Sequence, residues 1–172
     1  MRALYAGRFQ PFHLGHLEII KEILTTYDEL VIVVGSAQYS HTSDNPFTAG
    51  ERIQMITESL DEYNISNPVY VIPIDDIHRH SVWVKYVESL TPPFEAVFSN
   101  EPVTARLFKE AGYTVNRTEL IRRKEWEGTE IRRRMCCNED WKACIPQAAA
   151  RIIDQVDGVT RIKELARSDK LK

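Results

Sequence analysis

Two spacings of apolar residues alternate along most of the chain. Residues 2–7 are a short apolar run and predict a strand. Residues 15–27 follow with Leu17, Ile20, Leu24 and Tyr27 at helical spacing. The run "ELVIVVG" (29–35) is continuously apolar, the pattern of a strand buried on both faces. Residues 48–63 predict a helix through Ile53, Ile56, Leu60 and Tyr63. The runs at 69–74, 95–99 and 113–117 predict further strands, separated by helices over 81–90 and 101–112. Pro92 and Pro93 stop the first of these helices, while an early Pro and a terminal Gly112 bound the second. After residue 117 the pattern changes to short helical segments without a strand.

Strand and helix in alternation predict an α/β fold with a parallel sheet. Five strands predict a doubly wound sheet in the order 3-2-1-4-5, with a short helical C-terminal extension. Such a sheet takes its ligand beyond the carboxyl ends of its strands, where the winding reverses. Here that place follows strand 1, which ends at Gly7 and Arg8.

Composition narrows the function classes. A chain of 172 residues is one domain, with room for a small C-terminal appendage. The net charge of -3 disfavours general nucleic-acid binding through a global field. No apolar run is long enough to span a membrane, and the apolar start is too short for a signal peptide. Cys136, Cys137 and Cys144 are odd in number and two are adjacent, which predicts reduced thiols in a cytoplasmic protein.

The junction "GRFQPFHLGH" (7–16) is richer than a connecting turn requires. It leads into a helix N-terminus, whose unpaired N–H groups favour anions. It matches neither common glycine-rich phosphate loop and supplies side-chain donors instead. His13 and His16 share a face on the first helical turn, and Gly15 lets a ligand approach the backbone. With the Arg8 fork they make a cationic floor suited to a polyphosphate. A His pair at this spacing also suits a metal, but no third ligand lies nearby in sequence. Phe9 and Phe12 read equally well as core residues.

These residues resemble the H-x-G-H signature of the nucleotidylyltransferase superfamily, with His13, Gly15 and His16 as its fixed positions. Two further stretches, "GSAQYSHTSDNPFTAGER" (35–52) and "GTEIRRRM" (128–135), resemble the archaeal nicotinamide-mononucleotide adenylyltransferases. The motifs occur in the same order from residue 2 to about 165. The resemblance implies a Rossmann-like core over 1–117 with a helical part over 118–172 packed on it, forming one domain. It also implies AMP transfer from ATP to nicotinamide mononucleotide, giving NAD and pyrophosphate, in a homo-oligomer of hexameric type.

Site roles follow from the same resemblance. Arg8, His13, His16 and Arg132 are the implied catalytic residues. Gly7, Phe9, Gly15, Ser40, His41 and Thr129 are implied on the ATP and phosphate side. Ser36, Ala37, Gln38, Asn45, Pro46, Phe47, Asp76, Ile77 and Trp83 are implied around the mononucleotide. Trp83 would stack on the nicotinamide ring; on an amphipathic helix it reads as a core residue too. No protein metal site is expected, magnesium arriving on the ATP phosphates.

Physical reading adds detail. Thr48 and Glu51 form a capping-box pattern. Thr129 is expected to cap its helix and donate to phosphate. Arg132, Arg133 and Arg134 cannot share one face, so Arg133 and Arg134 read as exposed basic residues. Two positions depart from the family pattern: Glu127 before "GT", and Glu101 after strand 4. Other readings stay open: a transferase for another phosphorylated acceptor, or a non-catalytic nucleotide sensor.

Overall fold

The computed structural model describes residues 1–117 and 126–169. The first eight residues of the expected C-terminal part, 118–125, lie outside the described residues, as do 170–172. The strands are β1 (Arg2–Gly7), β2 (Glu29–Val34), β3 (Val69–Pro73), β4 (Ala96–Phe98) and β5 (Thr114–Asn116). They form one all-parallel sheet in the order β3-β2-β1-β4-β5. The fold is α/β, and the doubly wound order is the one predicted from the alternating pattern.

The helices are α1 (Leu14–Leu24), α2 (Ala49–Glu62), α3 (His80–Leu90), α4 (Pro102–Glu110), α5 (Gly128–Cys137), α6 (Gln147–Gln155) and α7 (Gly158–Asp169). A single 3₁₀ turn, Lys142–Cys144, precedes α6. The strands are each within two residues of expectation. Helix α1 stops at Leu24, so Tyr27 lies beyond it.

The chain forms two compact units that interleave in sequence. One takes the described residues of Met1–Arg8, Ile19–Gln38 and Ser66–Glu119. The other takes those of Phe9–Glu18, Tyr39–Ile65 and Leu120–Lys172.

The first unit holds the whole sheet with α3 and α4. Leu4, Val31, Val33, Ile74, Val84, Val87, Phe94, Val97 and Phe108 make its core. Leu30 to Val34 are buried without a break, which is why β2 reads as a continuous apolar run. Phe94, Phe108 and Tyr113 pack as an aromatic group at β5, with Phe94 stacked on Tyr113 at 4.8 Å.

The second unit is helical. Helix α2 packs on α6, and α7 packs on α5 and α6. Thr48 and Glu51 make the expected capping box at the start of α2. The buried face of α2 differs from the apolar pattern. It is Arg52, Met55, Ile56, Ser59 and Leu60, while Tyr63 is exposed and Ile53 half-buried. Two polar residues occupy that face because tertiary packing, and not apolar period alone, selects it; the Arg52 Nε donates to Thr48 O (3.2 Å). Helix α6 has no side-chain cap of its own, and Glu62 at the end of α2 accepts its Ala148 N–H (2.8 Å). A carboxylate there also complements the positive end of the helix dipole.

Candidate active site

In the helical unit the H-x-G-H segment is a stack of rings. His13 and His16 lie face to face at 3.5 Å between centroids and 20° between planes. Phe9 meets His16 edge-on at 4.7 Å, and Phe12 stacks on it at 5.6 Å. Phe9 and Phe12 are buried, as their core reading expects. Phe9 takes a left-handed backbone, φ 53°, rare for a bulky residue.

The backbone locks both imidazoles. His13 N–H donates to His16 Nδ1 (3.2 Å), and His16 N–H donates to His13 Nδ1 (3.3 Å). Each Nδ1 must therefore carry a lone pair, so the ring proton sits on Nε2 in both. Burial lowers the His13 pKa to about 3 and the His16 pKa well below its usual value, the latter also by the neighbouring His13. This corrects the expectation of a cationic pair: desolvation leaves both rings neutral, as Nε2–H donors. It also revises the reason for Gly15. A Cβ there would meet the His13 ring at 3.1 Å, so the glycine makes room for the histidine itself.

Arg132 is tied to the same segment. Its Nη1 donates to Gln10 O (2.7 Å), and its Nη2 lies 3.9 Å from Asp44 Oδ1. Gly128 permits this approach, since an added Cβ would stand 3.1 Å from Gln10 O and 3.3 Å from Arg132 Nη1. The Gln10 side chain in turn grips Phe47. Its Nε2 donates to Phe47 O (2.9 Å) and its Oε1 accepts Phe47 N–H (3.0 Å). Gln10 thus links three signature stretches. The sequence reading missed it, although a polar residue inside "FQPF" is a signal for a buried amide with a set partner.

Other expected residues of this unit divide. Asn45, Pro46 and Phe47 lie together before α2; Phe47 is fully buried and the Asn45 N–H bonds to Thr42. Ser40 and His41 touch each other through Oγ and Nδ1 at 3.0 Å. Thr129 does not cap α5. The N-cap is Glu127, whose side chain makes no capping bond, and exposed Thr129 is the second residue of the helix. The chain enters α5 two residues earlier than a Thr129 cap requires. Arg133 pairs with Glu130 and Glu139, and Arg134 with Glu130, Asp140 O and Cys144 Sγ. These partners account for both arginines as structural residues, and Arg133 and Arg134 together depress the Glu130 carboxyl to about 2.

Arg161 of α7 also reaches the Asn45–Phe47 segment, with no signal in the sequence to announce it. It forms a forked ion pair with Glu51 (2.7 and 3.0 Å) and donates to Pro46 O (3.2 Å). Burial raises the Glu51 carboxyl, but bonds from Arg161 and the Thr48 N–H outweigh it and hold it low.

In the sheet unit the loops after β2 and β3 are joined. Ser36 Oγ donates to Asp76 Oδ2 (2.7 Å), and Ser36 itself is left-handed at φ 52°. Gln38 Nε2 donates to Asp76 O (2.8 Å), and Asp76 N–H donates to Gln38 Oε1 (2.9 Å). Ala37 N–H donates to Ile74 O (3.1 Å). Ser36, Ala37, Gln38 and Asp76 are therefore brought together, with Ile77 next in the chain. Gly35 N–H bonds to Gly7 O (2.9 Å), joining the ends of β1 and β2.

Trp83 is half-buried, packed on the sheet-unit core and edge-on to Phe108 at 5.6 Å. Glu101 is the N-cap of α4 and accepts Val103 N–H (3.1 Å) and Thr104 N–H (2.5 Å). Partial burial raises its carboxyl, but those bonds and the charge of exposed Arg8 hold it low. The departure at Glu101 thus serves the helix start. Among the described residues no group of three or more His, Cys, Asp or Glu side chains could hold a metal ion, and no helix is long and apolar enough to cross a membrane. Cys136, Cys137 and Cys144 are thiols and not disulfides, and Cys144 Sγ accepts from Arg134.

Comparison with known proteins adds an independent line. Residues 4–134 match the cytidylyltransferase-like family model. A Methanococcus aeolicus protein named nicotinamide-nucleotide adenylyltransferase is 56% identical over 98% of this chain and 97% of its own. A Picrophilus torridus protein of the same name is 52% identical over 99% of this chain and 100% of its own. Among solved structures, a bifunctional NMN adenylyltransferase/ADP ribose pyrophosphatase of Francisella tularensis matches 98% of this chain with a TM-score of 0.76 at 19% identity. The same protein complexed with AMP and a manganese ion gives 0.72 at 20%. The chain spans 53% of that bifunctional protein, and the likeness concerns the fold.

Proposed function

The chain belongs to the nicotinamide-nucleotide adenylyltransferase family, a family of nucleotidyltransferases, and on that premise we propose that it transfers AMP from ATP to nicotinamide mononucleotide. The observation that carries the reading is the locked His13–His16 pair, whose tautomer makes both Nε2–H groups donors, in the same unit as an Arg132 held by Gln10.

The chemistry follows from those donors. A phosphate oxygen of the mononucleotide attacks the ATP α-phosphorus. The bond from that phosphorus to the bridging oxygen breaks, and pyrophosphate leaves in line. The nucleophile is already an anion at neutral pH, so no general base is required. No covalent enzyme intermediate forms. The barrier lies in joining two anions and in charge growing on the leaving group, which makes catalysis a matter of positioning and electrostatics. Arg8 and Arg132 supply full charge. His13 and His16 supply neutral donors of fixed tautomer, which need no reorganisation as charge develops. Arginine and imidazole donors suit phosphate oxygens. Magnesium, bound with ATP, would neutralise charge on its phosphates.

The remaining roles stand on the family resemblance. Gly7, Phe9, Gly15, Ser40, His41 and Thr129 serve ATP. Ser36, Ala37, Gln38, Asn45, Pro46, Phe47, Asp76, Ile77 and Trp83 serve the mononucleotide. We read the chain as one nucleotidylyltransferase domain in a cytoplasmic hexamer, which light scattering tests.

The test of function is pyrophosphate release from ATP and magnesium with separate acceptors: nicotinamide mononucleotide, nicotinate mononucleotide, pantetheine phosphate and FMN. Release is expected with the pyridine mononucleotides, and His16→Ala should lower kcat by roughly tenfold or more without unfolding the protein. Release with another acceptor only would overturn the substrate. Unchanged turnover in His16→Ala would remove that residue from the mechanism.

A further inference from the structure

Arg161 lies in the first turns of α7, outside every motif that marks the family resemblance. All four of its terminal N–H groups have acceptors. Nη1 donates to Pro46 O (3.2 Å) and Glu51 Oε2 (2.7 Å); Nη2 donates to Glu51 Oε1 (3.0 Å) and Val156 O (3.4 Å). The guanidinium carbon stands 6.0 Å from the centroid of the Phe47 ring. The ion pair is largely shielded, with side-chain exposures of 18% for Arg161 and 16% for Glu51. Glu51 Oε2 also accepts the Thr48 N–H (2.9 Å). One side chain therefore contacts Pro46, Phe47 and the capping box at Thr48 in succession.

That segment needs an external brace. "YSHTSDNPF" (39–47) has no regular structure, and a reciprocal pair of backbone bonds joins Thr42 to Asn45 within it. Pro46 offers no N–H of its own. The segment's end is fixed from elsewhere, by Gln10 on the Phe47 backbone and by Arg161 on Pro46 O and Glu51. A planar fork can grip a carboxylate bidentately and still donate to two carbonyls, four bonds where a lysine ammonium has three donors and no fork.

We propose that Arg161 is a positioning residue for the acceptor nucleotide: from α7 it holds Asn45–Phe47 in the conformation that receives the mononucleotide. This rests on the reading that the segment lines the mononucleotide site. Arg161 touches no reacting atom in this role, so its loss should act on acceptor binding more than on the chemical step.

The experiment is steady-state kinetics on Arg161→Ala, Arg161→Lys and Glu51→Gln, with each substrate varied separately. Arg161→Ala should raise KM for nicotinamide mononucleotide by about tenfold, with KM for ATP and kcat changed by no more than about threefold. Arg161→Lys should recover part of that loss, and the Arg161→Ala, Glu51→Gln double variant should lose less than the two single effects combined. A folded Arg161→Ala with unchanged acceptor KM, or with kcat and both KM values altered alike, overturns the proposal. If Arg161→Ala does not fold, Arg161→Lys and Glu51→Gln decide by the same acceptor-selective shift. Wild type separates the two readings. If it uses a different acceptor and Arg161→Lys weakens that one, positioning stands and the substrate assignment falls. If it turns over nothing, calorimetric binding of nicotinamide mononucleotide to wild type and variants decides, and equal Kd values overturn the role.

Discussion

The Gln10 amide in the helical unit and the Gln38 amide in the sheet unit make the same pair of bonds. Each donates to the carbonyl and accepts the N–H of a single residue on another loop, Phe47 for Gln10 and Asp76 for Gln38. The distances agree within 0.1 Å, 2.9 and 3.0 Å against 2.8 and 2.9 Å. The surroundings do not agree. Gln10 is 4% exposed, while Gln38 is exposed to solvent. Without Gln38, water can pair with Asp76. Without Gln10, the Phe47 backbone is left buried with an unmet donor and acceptor. Hydrogen-bond geometry alone therefore says little about how much a bond contributes; the alternative partner decides.

The largest expected effect follows from that contrast. Gln10→Ala should destabilise the protein by about 2–5 kcal/mol in urea unfolding, one desolvation penalty for each orphaned Phe47 group. It should also lower kcat, because the carbonyl that holds Arg132 moves with residue 10. A loss under about 1 kcal/mol would break the comparison, since burial would then not govern the bond.

The same burial in the helical unit predicts a pH dependence. His13 is 5% exposed and its folded pKa is about 3, against 6.5 in the unfolded chain. Between those values the unfolded state binds the proton and the folded state does not. Stability is thus full above pH 6.5 and falls as pH drops towards 3. From pH 7 to pH 5 His13 should account for about 2 kcal/mol of lost unfolding free energy. His13→Gln should flatten that part of the profile. An identical slope in the variant would show that the ring is protonated in the folded state.

Gln38→Ala is the smallest expected change, about 0.5–1 kcal/mol or less in the same unfolding measurement. A cost equal to that of Gln10→Ala would show that water does not reach Asp76.

Much of the fold was legible in advance, for reasons visible in particular elements. The unbroken apolar run at β2 can only be a strand covered on both sides, and strand-helix alternation admits few topologies. Thr48 and Glu51 fix the start of α2 through bonds local in sequence, so the capping box could be read directly. The candidate site entered as a list of residues. His13 and His16 stood out because imidazoles exceed what a turn needs, and Arg132 because its stretch resembles the family's second signature.

What local pattern could not reach were properties set by distant neighbours. The α2 face includes Arg52 and Ser59, because packing against α6, which no period within α2 encodes, selects the buried side. The charge state of the histidines depends on the dielectric around them, and Phe9 and Phe12 enclose His16 only after the turn has formed. Arg161 reaches Pro46 and Glu51 across more than a hundred residues of chain. The sequence by itself determined the order of strands and helices and the chemical types gathered at the H-x-G-H junction, since both follow from local spacing. Tertiary structure alone decided which of those side chains are neutral, which bonds are shielded from water and which distant residue braces which loop, because desolvation and long-range contact exist only once the chain has packed.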